Sequence, residues 1–204
     1  MTLTPTTTDR GGETRRRILE VAAEAFADRG YAGTSLSEVL EARGVTKGGV
    51  YVLFPSKEAL ALATLRHKQE QWAGAVMASV LQCPGAIDQL EAMVEALCDL
   101  HEQDRSCRAI SRLCTELGDG HPELRPQLGT QLTTWMDIVA SIIRKGQDEG
   151  EIRPDVDPVM AAEVAVGSFI GLENVSQVLT GRADLRRRAR DFRDLWFAAI
   201  RRTT

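Results

Sequence analysis

The sequence predicts an all-α protein, and three observations carry that expectation. Apolar residues recur at i, i+3 and i+4 along almost the whole chain, β-branched runs of period two are nearly absent, and glycine or proline clusters cut the periodic stretches into helix-sized lengths. A chain of 204 residues with 43% hydrophobic content can also bury a substantial core.

Residues 1–12 lack apolar periodicity and are expected to form a mobile arm; no apolar segment follows a basic start, so they do not read as a signal peptide. A first helix over 13–29 places Ile18, Leu19, Ala22, Ala25 and Phe26 on one face and stops at Gly30, a C-terminal capping residue. Thr34 and Ser35 offer capping hydroxyls to a short second helix marked by Leu36, Val39 and Leu40, which ends at Gly44. Val45 and Thr46 open a third helix over 45–53, which Pro55 and Ser56 break before a long fourth one over about 60–82. Three short helices with a tight glycine-containing turn between the second and third are the plan of a helix-turn-helix unit, assigned to 13–58.

Residues 59–204 form a second, larger domain with further helices expected over 86–103, 106–117, 129–148, 158–179 and 185–201, about nine in all. The apolar run over 159–179 is long enough for a membrane span, but Glu163, Glu173, Asn174 and Gln177 interrupt it at scattered depths. It reads as a buried helix of a soluble, cytoplasmic protein. The last helix carries Leu185, Ala189, Phe192, Trp196 and Ala199 along one stripe, with Arg186, Arg187, Arg190, Arg193 and Arg201 largely elsewhere, and a stripe that wide calls for a partner.

The net charge is −4, yet between Arg10 and Lys68 ten basic residues face seven acidic ones, so the N-terminal part is net positive and the remainder net acidic. That is the sign a small nucleic-acid module on a neutral body requires. Four cysteines, Cys83, Cys98, Cys107 and Cys114, without an export signal are expected to be reduced thiols.

A recognition helix needs short polar or basic groups at its N-terminal end and small residues where its backbone nears a groove, and Thr46, Lys47, Gly48 and Gly49 supply them. Consecutive glycines weaken a helix by roughly 1 kcal/mol each against alanine, so tolerating them suggests a close approach. Lys47 reaches guanine O6 or N7 in the major groove. Tyr51 is placed for a phosphate. Thr34, Ser35 and Ser37 at the start of the second helix, and Lys57 at the start of the fourth, suit further phosphates. Singly, each is also read as an ordinary cap or surface charge.

These residues carry a resemblance. The pieces Ile18 to Phe26, Gly30-Tyr31, Thr34-Ser-Leu36, Gly44-Val-Thr-Lys-Gly48, Tyr51, Phe54 and Ser56 to Leu60 resemble the DNA-binding domain of the TetR family of bacterial repressors. The resemblance implies a homodimer bound to a palindromic double-stranded DNA operator, and a variable ligand domain whose last two helices form a four-helix interface. Val175, Leu179, Leu185, Phe192 and Trp196 then fall at that interface. Leu53 stands where the family usually has histidine, which removes one phosphate donor.

The rest of the chain is similar to the γ-butyrolactone autoregulator receptors of antibiotic-producing actinobacteria, through Trp135, the stretch 166–171 and Val175-Ser-Gln177. That likeness implies a tryptophan over the lactone, matched by Trp135, a hydroxyl on the penultimate helix, matched by Ser168, and a closing glutamine, matched by Gln69, although Lys68 competes for the place. Met136, Val139, Ile143, Val164 and Phe169 complete the apolar lining a lactone or furan with an alkyl tail needs; plain bundle core is the competing account of each.

Catalysis finds little support. Cys98 and His101, at i and i+3, are the nearest approach to a metal or thiol site, but helix breaks separate them from Cys107 and Cys114, and no Cys-x-x-Cys, His-Glu-x-x-His or Gly-x-Ser-x-Gly motif is present. No cofactor or metal is expected. A ligand-released repressor, a regulator responding to another ligand such as an antibiotic or to thiol oxidation, and a helical binding protein or enzyme remain the alternatives.

Overall fold

The computed structural model describes residues 7–41 and 53–202. Among them the only extended pairing is a single antiparallel bridge between Ile152 and Arg201, so the chain is all-α as expected. The helices are α1 (Thr7–Arg29), α2 (Leu36–Glu41), α3 (Lys57–Val80), α4 (Ala86–Gln103), α5 (Arg108–Gly120), α6 (Arg125–Asp148), α7 (Pro158–Thr180) and α8 (Leu185–Ile200), with 3₁₀ turns at Arg105–Cys107 and Pro122–Leu124. The third helix expected over 45–53 lies outside the described residues, apart from Leu53.

Two compact units divide the chain, residues 1–71 with 104–124 and residues 72–103 with 125–204. The boundary expected at 58/59 is therefore displaced. Position 58 is inside the first turn of α3, which has no break there, and the amphipathic α5 packs on α1.

The core of the first unit is built on α1. Ile18, Leu19, Ala22, Ala23, Phe26 and Ala27 are buried along α1, which packs on α5 where Leu113 and Leu117 are buried, and Leu60, Ala61 and Leu65 of α3 are buried in the same unit, all at 2% exposure or less except Ile18 at 3%. Each leucine so buried contributes about 1.5–3 kcal/mol. Helix α1 starts at Thr7, within the expected arm, and ends at Gly30, whose φ of +74° only glycine adopts without strain. A Cβ there would also fall 2.3 Å from Glu116 Oε1. Thr34 then turns inward, its hydroxyl donating to the carbonyls of Gly30 at 2.8 Å and Ala25 at 3.2 Å.

In the second unit α4, α6, α7 and α8 enclose a core that includes Leu90, Met93, Val139, Ile143, Ala162, Trp196, Phe197 and Ile200, with Val76 and Val80 from the last turns of α3. Helix α7 starts at Pro158 as expected, and Asp157 caps it: Asp157 Oδ1 accepts from Val159 N at 2.8 Å and Met160 N at 3.1 Å, and the proline occupies the first turn, where its missing N–H costs nothing. Gly181 closes α7 with a left-handed φ of +59°. Along α8 the arginines face α4: Arg186 meets Glu95, Asp99 and Glu102, Arg190 meets Glu95, and Arg193 meets Glu91 and Glu95. The apolar stripe beside them packs into the same core.

Candidate functional site

Of the DNA-facing candidates, Thr46, Lys47, Gly48 and Tyr51 lie outside the described residues. Ser35 and Ser37 are exposed at the start of α2. Thr34 is a correction: at 2% exposure, with its hydroxyl spent on two carbonyls, it ties α1 to the following turn and offers no donor to a phosphate. Lys57 is half-buried, its Nζ 4.2 Å above the Tyr31 ring and 3.5 Å from the Ala32 carbonyl oxygen, so its charge lies over an aromatic face.

A charged cluster joins three parts of the first unit. Lys68, 3% exposed on α3, lies 2.7 Å from Asp104 Oδ2 and 3.4 Å from Glu20 Oε2. Glu20 Oε1 is 2.8 Å from His67 Nε2 and accepts from Gln71 Nε2 at 2.7 Å. Burial works against charge on Lys68, but its bond to Asp104 and the charges of Asp104 and Glu20 outweigh it and raise its pKa. Burial likewise opposes the Asp104 carboxylate, and the bonds from Lys68 and Ser106 prevail, holding it below its ordinary value. Gln69, the predicted closing glutamine, belongs to this unit; its Oε1 is buried without a hydrogen bond.

In the second unit the predicted ligand residues separate. Val139 and Phe169 line an apolar cavity of about 60 Å³ together with Leu90, Met93, Leu97 and Phe192. Trp135 and Met136 are half-buried against the same core, while Ile143 is fully buried in it. Ser168 is on another face of α7, along an open groove with Gly171, Arg187, Asp191 and Leu195, and Val164 is 48% exposed. Neither Ser168 nor Val164 lines the cavity, because α7 turns by 100° per residue and the two share a face four residues apart, away from Ala165, Val166 and Phe169.

The interface residues divide in the same way. Leu185 and Trp196 are 4% and 8% exposed and Phe192 lines the cavity, so the stripe of α8 already has its partner in its own chain. Exposed instead are Val175 at 43%, Val178 at 83% and Leu179 at 64% on α7, and Leu195 at 75% on α8.

Sequence reasoning missed one arrangement. His101 and Glu173, both buried, approach within 3.5 Å through Nε2 and Oε1. The signals were a glutamate inside the most apolar helix and a histidine first considered for its spacing from Cys98. His101 Nδ1 in fact faces the Leu97 carbonyl oxygen at 2.8 Å. Burial pushes the Cys98 and Cys114 thiols up to about 11.

Comparison with known proteins accounts for this layout. Residues 18–64 match the model of bacterial regulatory proteins of the tetR family, and residues 86–192 match that of the tetracyclin repressor-like C-terminal domain. The A-factor receptor protein of Streptomyces griseus is 35% identical over 180 residues, 87% of this chain, although the match spans only 60% of that receptor. The regulator UidR of Escherichia coli K12 is 28% identical over 159 residues, covering 78% of this chain and 79% of UidR. A solved structure described as the molecular basis for control of antibiotic production by bacterial hormones is 33% identical, with a TM-score of 0.81 over 93% of this chain and 98% of that one. Full-length TylP, a TetR regulator from Streptomyces fradiae, gives 30% identity and a TM-score of 0.73 over 96% of this chain and 83% of its own. The chain belongs to the TetR family of bacterial regulatory proteins, which are DNA-binding transcriptional regulators.

Proposed function

We propose that this protein is a cytoplasmic, homodimeric repressor that leaves a palindromic operator when a small, largely apolar ligand of the γ-butyrolactone or butenolide class enters its second unit. The observation that carries the reading is the all-apolar cavity among α4, α6, α7 and α8, in a chain similar to a receptor named for A-factor.

The cavity's volume of about 60 Å³ is well short of the ~300 Å³ at which ligand sites begin. A ligand must therefore displace side chains to enter, and what it displaces is the packing between helices. Helix α3 supplies Val76 and Val80 to that core and Leu60, Ala61 and Leu65 to the core of the first unit. A shift at its last turns is thus carried along one continuous helix toward the DNA-binding end. In this reading the two Lys47 segments of the dimer, which must reach successive major grooves ~34 Å apart, lose that spacing. By linkage the effector then binds the DNA-bound form less tightly by the same factor it weakens DNA binding, and a hundredfold effect needs about 2.7 kcal/mol of coupling.

Electrophoretic mobility shift on the DNA upstream of the protein's own gene tests the reading. We expect salt-sensitive, sequence-dependent binding, abolished as a sequence preference by Lys47→Ala, and release on adding butyrolactones or butenolides. Trp135→Ala should keep DNA binding and lose release. Binding that persists through the whole lactone panel removes the ligand class; no specific DNA binding removes the repressor.

A further inference from the structure

His101 closes the last turns of α4 with its side chain 1% exposed, and Glu173 stands on α7 with its side chain 7% exposed. The Leu97 carbonyl oxygen only accepts, so His101 Nδ1, 2.8 Å away, carries a proton. Nε2 is buried and makes no hydrogen bond, and Glu173 Oε1 at 3.5 Å is within ion-pair reach but not in hydrogen-bond geometry. The imidazole is flanked by Trp72, ring centroids 5.1 Å apart, and by Phe169 at 5.5 Å, edge to face. Two polar groups are thus held in an apolar shell with their mutual bond unmade, an arrangement that costs stability.

Phe169 links this pair to the apolar cavity. The same ring that packs edge-on against His101 also lines the cavity, as does Leu97, whose carbonyl orients the imidazole. One aromatic ring therefore stands between an apolar space and a buried polar pair.

We propose that His101 and Glu173 are the polar end of the effector chamber, that Phe169 moves aside to join them to the apolar cavity, and that the effector carries a free hydroxyl on an aliphatic body. The assignment rests on the reading that this unit holds an apolar effector, and it names that effector's polar group. A hydroxyl has one donor and at least one acceptor direction, and it completes a pair that holds one proton between Nε2 and Oε1, whichever of the two carries it. With an imidazolium beside a carboxylate it accepts from Nε2–H and donates to Oε1; with both groups neutral it donates to Nε2 and accepts from the carboxyl O–H. Toward such a one-proton pair an ether only accepts and an ammonium only donates, so neither satisfies both sides. An oxygen about 2.8 Å from both atoms forms a triangle on the 3.5 Å base, so the pair needs only a small widening.

The test uses the full chain and two isomers of equal size, 1-octanol and 1-methoxyheptane, with affinities measured by calorimetry. We expect the alcohol to bind at least tenfold more tightly than the ether. In the double variant His101→Phe, Glu173→Leu, where an apolar pair replaces a polar one, the melting temperature should hold or rise while the alcohol preference vanishes. Phe169→Ala should tighten octanol binding at least threefold. Equal binding of the two isomers by the wild type, or a preference that survives in the folded double variant, overturns the proposal. Should lactones still release DNA in that case, the effector reading stands and only its polar end is wrong. An alcohol preference in a protein that no lactone removes from DNA supports this chamber and discards the lactone class.

Discussion

The Tyr31 hydroxyl donates to Glu58 Oε1 at 2.5 Å, tying the turn after α1 to the first turn of α3. The ring is held between Phe26, stacked at 6.2 Å, and His121, edge-on at 5.5 Å, with the Lys57 ammonium over its face.

Its electrostatics give a pH prediction. The bond from Tyr31, with those from the Glu58 backbone N–H and Ser56, pulls the Glu58 carboxyl down to about 2. A carboxylate whose folded pKa is depressed stabilises the fold above its ordinary pKa and loses that contribution as pH falls toward the folded value. Tyr31→Phe should cost about 1 kcal/mol at pH 7, a shift of roughly 2–4 °C in melting temperature. Denaturant titrations from pH 7 down to pH 3 check it: the gap between variant and wild type should narrow steadily below pH 5, and a gap independent of pH would assign the loss to packing.

Gly146 gives a packing prediction. A Cβ at this position in α6 would lie 2.6 Å from Ile152 Cδ1 and 2.8 Å from the Ala86 Cβ, and the Gly146 carbonyl accepts from both Glu151 N and Ile152 N. Helix propensity favours alanine by about 1 kcal/mol, but two close contacts with buried side chains outweigh it. Gly146→Ala is expected to destabilise by about 1–3 kcal/mol, read as a lower urea midpoint at unchanged slope. A stabilised variant would mean that Ile152 swings away freely.

The thiols bear on the oxidation alternative. With Cys98 and Cys114 raised to about 11 by burial, very little of either thiol is ionised at pH 7.5. Cys107 is fully buried. Iodoacetamide at pH 7.5 followed by peptide mass mapping should modify half-buried Cys83 well before buried Cys98 and Cys107, and peroxide should leave DNA binding intact. Rapid labelling of Cys98 together with loss of DNA binding would bring the thiol reading back.

What the sequence made legible was whatever depends on neighbours along the chain. The period of α1, its stop at Gly30 and the start of α7 at Pro158 are all local and all appear. Local rules also misled. The sequence predicts a helix only from 129, whereas α6 begins at Arg125 and holds Pro126 in its first turn, where proline is tolerated. Long-range choices were not readable. The α8 stripe announced a buried face without saying whose residues cover it, and His101 and Glu173 meet across 72 positions with no periodicity to pair them. The split of Val139 and Phe169 from Ser168 and Val164 depends on how α7 is rotated, which packing alone sets.

That rotation yields the last prediction. Val175, Val178 and Leu179 of α7 and Leu195 of α8 are exposed apolar side chains, whereas Leu185 and Trp196 are inside their own unit. An isologous pairing through α7 and α8 would present each of these residues twice across the two-fold axis. On an isolated chain a charge at Val178, 83% exposed, or at Leu195, 75% exposed, changes stability by no more than about 0.5 kcal/mol. Across an interface the same charges are buried in pairs of like sign and cannot be solvated. Val178→Asp with Leu195→Asp should therefore convert a dimer to a monomer in light scattering, leave the helical circular dichroism unchanged and abolish operator binding. Trp196→Ala should instead lower the melting temperature, since it removes a core ring. A Val178→Asp, Leu195→Asp protein that stays dimeric would place the two-fold contact on another face, because no dimer built on these two helices could hold four carboxylates at its centre.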